Sequence, residues 1–162
     1  MKFSLTFLTI ILVGQNCYTQ NADNTDRHNE KNIYFQALRY YLEFRMSDSF
    51  YFNSKPIDTL YVYSDTKTTD SLLDKIGSTR IIMIDDPYSF IKKRPDKAII
   101  LYSIFPLDFE NDEFWVSLVP FRVTIDEKRR KNLLFSNPGS YKVVFKYESG
   151  EFIYIRLEVH GI

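Results

Sequence analysis

The alternation of apolar and polar residues after residue 97 constrains the fold of this chain more than any other feature. Residues 98–109 and 114–125 read as strands that flank the turn-forming pair Asn111-Asp112. A two-residue loop there would pair apolar residues along one face: Phe109 with Phe114, Leu107 with Val116 and Phe105 with Leu118. Pro106 and Pro120 cannot donate hydrogen bonds to a neighbouring strand, so we expect bulges or strand edges near them.

A second hairpin is predicted around Ser149-Gly150. A two-residue loop would place Val143 opposite Arg156 and would mix charge into both faces of the hairpin. A three-residue loop puts Gly150 at the left-handed position that such loops favour. It pairs apolar residues on one face: Phe145 with Ile153, Val143 with Ile155 and Tyr141 with Leu157. We therefore expect the three-residue register, because a slip of one residue would bury charge.

A helix is predicted over residues 32–46, with Asn29 as its N-cap. Its apolar residues follow the i, i+3, i+4, i+7 spacing of an amphipathic face: Tyr34, Ala37, Leu38 and Tyr41, with Leu42 beside them. Gln36, Arg39 and Glu43 fall on the other side. We expect this apolar face to pack on a sheet rather than to bind a partner.

Two strands and a short helical segment are predicted between this helix and the first hairpin. Residues 58–64 alternate between two faces, and residues 80–84 form an apolar run typical of a central strand buried on both faces. Residues 70–76 are expected to form one or two helical turns ended by Gly77. Residues 85–95, with two prolines, read as a loop with room for one helical turn.

The order of these elements predicts an α+β fold: one long N-terminal helix packed on a mostly antiparallel, curved sheet of about six strands. This order and size resemble the NTF2-like and cystatin-like proteins, in which a helix lies in a curved sheet. The chain also resembles small secreted bacterial proteins of unassigned function, with a closing Tyr-x-hydrophobic-x-Phe hairpin and a terminal Gly-Ile. The resemblance covers residues 32–162. The Gln-x-Val-x-Gly wedge of the cystatins is missing, so protease inhibition is not implied.

The N-terminus has the three parts of a secretory signal peptide. Lys2 precedes an apolar run from Phe3 to Val13, which is too short to cross a bilayer. Cleavage after Thr19 would divide the chain into a signal peptide (1–19), a disordered polar leader (20–31) and a single domain (32–162). The alternative is lipidation of Cys17, which would anchor the protein to a membrane. We expect an exported protein, periplasmic or secreted, whose mature chain has no cysteine.

The balance of charge excludes one class of partner. Lysine and arginine total 21, as do aspartate and glutamate, so no global field draws the protein to nucleic acid. We therefore expect no nucleic-acid partner. We expect no cofactor and no metal site either: Asp108–Glu113 begins like a calcium loop but has Glu113 where the glycine is needed and Val119 where the glutamate is needed.

Catalytic candidates are few. Asp85 and Asp86 follow the apolar strand and precede Pro87, and such paired carboxylates can share a proton. An NTF2-like enzyme would keep an acidic base inside its cone, so this pair is where catalysis would be expected; the alternative is a strand-ending turn. His160 could act as a base if the last strand lined a pocket, and otherwise it is a histidine at a strand end.

Binding candidates are more numerous. Two basic runs, Lys92-Lys93-Arg94 and Lys128-Arg129-Arg130-Lys131, fall in loops that should share one end of the sheet. Acidic hairpin tips should share the other end. We hypothesise that the basic end meets an anionic surface or partner. Phe50-Tyr51-Phe52 falls in a loop, where it would cap the open end of a cone or form a contact patch.

The sequence thus favours a non-catalytic binding domain for an unknown protein or small ligand. Two alternatives remain open. One is an NTF2-like enzyme that uses Asp85 or Asp86. The other is an immunity-type partner of a secreted toxin.

Overall fold

A computed structural model describes residues 31–47, 57–64, 69, 72–126, 128–129, 132–137 and 139–161. Several sequence predictions therefore lie outside the described residues: the signal peptide with Cys17, nearly all of the polar leader, the aromatic triplet Phe50-Tyr51-Phe52, and Arg130 and Lys131.

Helix α1 spans Ile33–Ser47, close to the predicted boundaries. Its N-cap is Asn32, whose side-chain Oδ1 accepts hydrogen bonds from the backbone N–H groups of Tyr34 (2.9 Å) and Phe35 (3.3 Å). The expected cap, Asn29, lies outside the described residues. The buried face consists of Ile33, Gln36, Ala37, Leu38, Tyr41 and Leu42. Gln36 was expected on the exposed side and is buried instead, because this face is wider than the predicted stripe.

In the part of the chain that the structure describes, nine strands form one sheet. They are β1 (Thr59–Tyr63), β2 (Lys75–Ile76), β3 (Thr79–Ile84), β4 (Ala98–Ile104), β5 (Asp108–Glu110), β6 (Glu113–Ile125), β7 (Leu133–Ser136), β8 (Ser140–Glu148) and β9 (Glu151–His160). The strand order is β2-β3-β1-β4-β6-β8-β9, and β5 and β7 each pair with β6. The long strand β6 therefore organises the second half of the sheet.

The sheet is mixed, which corrects the predicted fold. Strand β1 lies between β3 and β4 and is parallel to both, while the remaining pairs are antiparallel. A second helix, α2 (Pro87–Lys92), lies between β3 and β4 in the chain. The expected single helix on a six-stranded, NTF2-like or cystatin-like antiparallel sheet is therefore wrong. The short α2 begins at Pro87 and ends at the first residue of a basic run, so the sequence pattern favours a loop there rather than a crossover helix.

The two faces of the sheet carry separate hydrophobic clusters. On one face, α1 packs through Leu38 and Tyr41 onto residues that include Leu60, Val116 and Phe145. On the other face, Ile91 of α2 packs with Ile84, Ile99, Leu101 and Val123. Strand β3 contributes Ile81 to the first cluster and Ile84 to the second. This double coverage explains the apolar run of β3, which is second from the sheet edge rather than central.

Residues 72–76, the described part of the segment predicted to be helical, do not form a helix. Lys75 and Ile76 form strand β2, which pairs antiparallel with Arg80 and Thr79. Gly77, with φ of 57°, lies in the turn of this hairpin rather than at a helix end. Asp70 and Ser71 lie outside the described residues.

The first predicted hairpin is partly confirmed. Phe109 pairs with Phe114 across a tight turn at Asn111-Asp112, both of which have positive φ. Leu118, however, pairs with Ile104 rather than with Phe105, because the chain leaves the ladder at residues 105–107 and resumes with the register shifted by one residue. This is the irregularity expected at Pro106.

Pro120 lies inside β6, opposite Tyr102 of β4. On its other side, β8 pairs with β6 only as far as Leu118, and β7 begins only at Arg122. The missing N–H of proline therefore falls at a gap between two neighbouring strands, which is the edge position that proline tolerates.

The second predicted hairpin has a different register. The loop is the two-residue pair Ser149-Gly150, with φ values of 54° and 91°. Phe145 pairs with Tyr154 but Val144 pairs with Arg156, so Ile155 is an extra residue in β9. The bulge moves Arg156 to the charged face and leaves apolar residues on the α1 face. The objection to a two-residue loop assumed an unbroken ladder, and the bulge removes that objection.

Arg156 is held on this charged face by two carboxylates. Its Nη1 and Nη2 donate to the two carboxylate oxygens of Glu113 at 2.6 and 2.8 Å, and its Nε donates to Glu158 at 2.7 Å. These hydrogen bonds hold the pKa values of both Glu113 and Glu158 below their usual range. The three residues tie β6 to β9 across β8, which fixes the register of the bulged hairpin.

Candidate functional site

A cavity of about 660 Å³ opens where strands β1 and β4 separate. These strands pair only at Tyr61–Leu101 and Val62–Tyr102. Thr59 precedes the paired part of β1, and Ala98 to Ile100 precede the paired part of β4, so both segments line the opening. The volume is within the range of about 300–1,000 Å³ that is usual for small-molecule sites.

Three arginines reach the cavity from three different elements. Arg45 comes from the last turn of α1, Arg94 follows α2, and Arg122 lies on β6. Asp96 is the one carboxylate among the described lining residues. The described wall therefore has an excess of two positive charges.

Arg94 is fixed by two neighbours. Its Nε donates to Asp96 Oδ1 at 3.2 Å, and its Nη1 donates to the Tyr61 hydroxyl at 3.0 Å. The guanidinium also lies over the rings of Tyr61 and Phe90, 5.5 and 5.9 Å from their centroids. The hydrogen bond that Arg94 donates to Asp96, followed by the one that it donates to Tyr61, raises the pKa of Arg94. Arg94 is therefore a positioned cation that forms an ion pair with the neighbouring carboxylate of Asp96.

Arg122 has different surroundings. It lies opposite Ile100 in the β4–β6 ladder, and the next pair on the same face is Tyr102 with Pro120. No carboxylate within the described part of the chain forms an ion pair with its guanidinium.

A tyrosine cluster forms the inner boundary of the cavity. The Tyr41 and Tyr102 hydroxyls are 2.7 Å apart, and the Tyr41 ring lies 4.7 Å from that of Tyr141. Burial raises the pKa of both Tyr41 and Tyr102, although the nearby positive charge of Arg45 acts in the opposite direction. Tyr102 and Tyr141 both line the cavity, so the core and the site share side chains.

The described residues of the two predicted basic runs lie at one end of the sheet. Because Ala98 pairs with Thr124, the segment before β4 and the segment after β6 are at one end of the sheet. Lys92, Lys93 and Arg94 are in the first segment, and Lys128 and Arg129, both exposed, are in the second. Of these five residues, the described cavity wall contains only Arg94. We call this end of the molecule the basic end.

The acidic hairpin tips lie at the opposite end. The β5–β6 and β8–β9 turns are brought together there by the pairing of Glu113 with Lys146. The charge of the chain is thus balanced overall but separated along the strands.

The catalytic candidates are placed away from the cavity. Asp85 and Asp86 are exposed between β3 and α2, and neither is among the described lining residues. Asp86 is the N-cap of α2, where its Oδ1 accepts from the Ser89 backbone N–H at 3.1 Å. The hydrogen bonds from Ser89 lower the pKa of Asp86. A carboxylate in this position stabilises a helix, and a general base would need the opposite shift.

His160 is exposed at the end of β9, with its Nε2 3.3 Å from Glu158 Oε2. It does not line the described cavity. The described residues contain no cluster of three or more His, Cys, Asp or Glu side chains suited to a metal ion.

Sequence reasoning missed Arg45 and Arg122 as site residues. Arg45 lies on the predicted helix, and Arg122 interrupts the apolar pattern of a predicted strand. That interruption was the available signal, since a charge on an otherwise apolar face needs a reason. The residues that line the cavity together with Arg122 cannot be identified without the strand order.

Comparison with known proteins does not extend these observations: no protein-family model matches the chain, and no curated protein or solved structure is detectably similar to it. Among the described residues, no helix is long and apolar enough to span a bilayer.

Proposed function

We propose that this protein is a non-catalytic binding domain that holds a small anionic molecule in the cavity at its basic end. The observation that carries the proposal is the approach of Arg45, Arg94 and Arg122 to one cavity from three separate elements, against one carboxylate. Arginine pairs well with the oxygens of carboxylates and phosphates, so this wall favours an anion.

The residues outside the cavity support the same function. Lys92, Lys93, Lys128 and Arg129 lie in segments at the same end of the sheet as Arg94, while the acidic tips lie at the far end. This separation of charge would concentrate anions near the opening and speed their association at low salt. The proposal therefore keeps the hypothesis of an anionic partner and assigns it to a small ligand.

The test compares two probes with the same body and opposite charges, benzoate and benzamidine. Calorimetric titration at low salt should detect benzoate and not benzamidine, and binding should weaken as salt is added. Arg122→Gln should reduce benzoate affinity by about tenfold, as expected for one lost charge-assisted contact. Lys146→Gln is the matched control, because Lys146 is at the acidic end beside Glu148. Equal binding of both probes, or equal losses in both variants, would contradict the proposal.

We also propose that the protein acts after export, with residues 1–19 as the signal peptide. Intact mass of the protein recovered from the envelope or medium of an expressing bacterium tests this. A mature chain that begins at Gln20 is expected. A lipid-modified Cys17, or a full-length chain, would contradict cleavage after Thr19.

A further inference from the structure

The acidic end of the molecule carries a group of aromatic side chains from four neighbouring strands. We call this group the aromatic tip: Phe109 of β5, Phe114 of β6, Tyr147 of β8 and Phe152 of β9. The ring centroid of Phe114 is 4.5 Å from that of Phe109 and 5.4 Å from that of Phe152. The Tyr147 ring is 5.0 Å from that of Phe152. None of the four is a described lining residue of the cavity, so this surface is independent of the proposed ligand site.

Part of the aromatic tip is open to solvent. Helix α1 covers the adjoining part of the same sheet face, where Tyr40 stacks on Tyr154 with their ring centroids 4.0 Å apart. Phe109 and Tyr147 are each 53% exposed, although both rings lie close to that of Phe114. An exposed apolar patch with polar residues around it is typical of an interaction surface.

The polar residues beside the aromatic tip are mainly carboxylates. The two hairpin turns, residues 108–113 and 146–151, contain six carboxylates and one lysine. Two of the carboxylates are in ion pairs, Glu113 with Arg156 and Glu148 with Lys146. The other four are exposed and form no salt bridge with any residue that the structure describes: Asp108, Glu110, Asp112 and Glu151.

Aromatic rings and carboxylates attract the same kind of group. The face of an aromatic ring attracts a lysine or arginine cation that lies within about 6 Å of its centroid. A carboxylate accepts charge-assisted hydrogen bonds from the same cations. The exposed rings and the exposed carboxylates are separate features of this end, and both favour a positively charged partner.

The packing of the rings favours a large partner over a small cation. A cage for a small cation needs rings that stand apart, with the ion between them. The rings of the aromatic tip instead contact one another, with Phe114 at 4.5 Å from Phe109 and at 6.4 Å from Tyr147. A cation can therefore lie only over their outer faces, as part of a molecule that spreads across the surface.

The width of the aromatic tip gives the size of that molecule. From β5 through β6 and β8 to β9 there are three spacings between strands, or about 14 Å at about 4.8 Å each. An extended chain advances about 3.3 Å per residue, so four or five residues would cross this distance. We infer that the aromatic tip binds a short segment of another protein, in which arginine or lysine residues alternate with apolar residues.

Three peptides of seven residues, blocked at both ends, test the inference on the full mature chain. The first alternates arginine with leucine and has arginine at both ends. The second has glutamate in place of arginine, and the third has serine in place of leucine. Calorimetric titration at low salt should detect the first peptide and not the second, and the third should bind at least about tenfold more weakly than the first. Added salt should weaken the binding of the first peptide.

Matched variants locate the binding surface. Phe109→Ser should reduce the affinity for the first peptide by about tenfold. Phe135→Ser is the control, because Phe135 is 55% exposed and lies on β7 at the basic end. The double variant Glu110→Gln/Glu151→Gln removes one charge from each hairpin and leaves every ring in place, and it should also reduce the affinity by about tenfold. Circular dichroism of each variant checks that the sheet is intact.

Three outcomes would show that the inference is wrong. The first is equal affinity for the arginine and glutamate peptides, or no binding of the arginine peptide at millimolar concentration. The second is an equal loss of affinity in Phe109→Ser and Phe135→Ser. The third is self-association of the wild-type chain in sedimentation experiments that Phe109→Ser abolishes, since the occupant is then a second copy of this chain. Phe109→Ser should leave benzoate binding unchanged, so these results do not decide the proposed function of the cavity.

Discussion

The hydroxyls of Tyr41 and Tyr102 lie 2.7 Å apart inside the core and join helix α1 to strand β4. Both side chains are buried, Tyr41 fully, and the rings are 5.5 Å apart at their centroids. This is a polar contact in an otherwise apolar layer, in which one hydroxyl donates a hydrogen bond to the other. The hydrogen bond holds α1 against β4, and several residues of β4 line the cavity.

Removing one of these hydroxyls should cost more than removing both. Tyr41→Phe leaves the Tyr102 hydroxyl buried without this partner, so we expect the free energy of unfolding to fall by about 1–3 kcal/mol. In the double variant Tyr41→Phe/Tyr102→Phe the second substitution should recover much of that loss. Urea denaturation of the wild type, both single variants and the double variant measures the coupling. Additive losses would show that the two hydroxyls do not depend on each other.

The same tyrosines predict a loss of stability at alkaline pH. Burial raises the pKa of both in the folded protein above the ordinary value of 10.0, which applies to the unfolded chain. Below pH 10 both states keep their phenolic protons, and stability does not depend on these groups. Above pH 10 the unfolded chain ionises first, which lowers the free energy of the unfolded state, so stability falls.

The loss should reach at most about 1.4 kcal/mol per pH unit for each tyrosine. Urea denaturation between pH 8 and pH 11 measures it, with Tyr41→Phe/Tyr102→Phe as the comparison. The wild type should lose stability more steeply than the double variant above pH 10, and the two should run parallel below it. If the stability profiles of the wild type and the double variant run parallel over the whole pH range, the assignment of the alkaline loss to Tyr41 and Tyr102 is wrong.

The two-residue loop of the β8–β9 hairpin can be tested by substituting two neighbouring residues of β9, one at a time. Phe152 faces the α1 cluster and packs edge-on against Phe145, whereas Ile153 is 45% exposed on the charged face. Phe152→Thr should lower the free energy of unfolding by about 2 kcal/mol, and Ile153→Thr should change it by less than about 0.5 kcal/mol. The three-residue register that the sequence favours predicts the reverse order. Chemical denaturation of the two variants decides between the registers.

The turn between β5 and β6 offers a stabilising substitution. Asn111 and Asp112 have φ values of 51° and 64°, and the left-handed region strains any residue with a side chain. Asp112→Gly would give the Asn-Gly pair that such turns prefer, and should raise stability by about 0.5–1 kcal/mol. Gly150→Ala, at φ of 91° in the other hairpin, should lower stability by a similar amount. A thermal melt of each variant shows whether its melting temperature rises or falls relative to that of the wild type.

The sequence was most informative where structure is local. The boundaries of α1, the strands around Leu60 and Ile81, and the Phe109–Phe114 pair follow from periodicity and turn chemistry. The errors arose where distant segments meet. Whether β1 is parallel to its neighbours depends on which strands lie beside it. The bulge at Ile155 places Arg156 beside Glu113, which is 43 residues away in the sequence.

The candidate site shows the same limit. Arg94 was identified as part of a basic run, but Arg45 and Arg122 belong to a helix and a strand that had structural explanations of their own. They become site residues only because α1 ends, and β1 and β4 diverge, at one place. The end of α1 follows from the sequence pattern, but the separation of β1 from β4 leaves no pattern in the sequence.

The position of β1 also determines the order in which this chain can fold. Strand β1 is made before both of its neighbours, β3 and β4. It cannot be hydrogen-bonded along both edges until Ile104 has left the ribosome, and its pairing with β4 closes a loop of some forty residues. The hairpins of the second half close short loops and are expected to form faster. We therefore expect the first half of the chain to fold after the second half. Until then, the first half of a newly made chain stays unfolded.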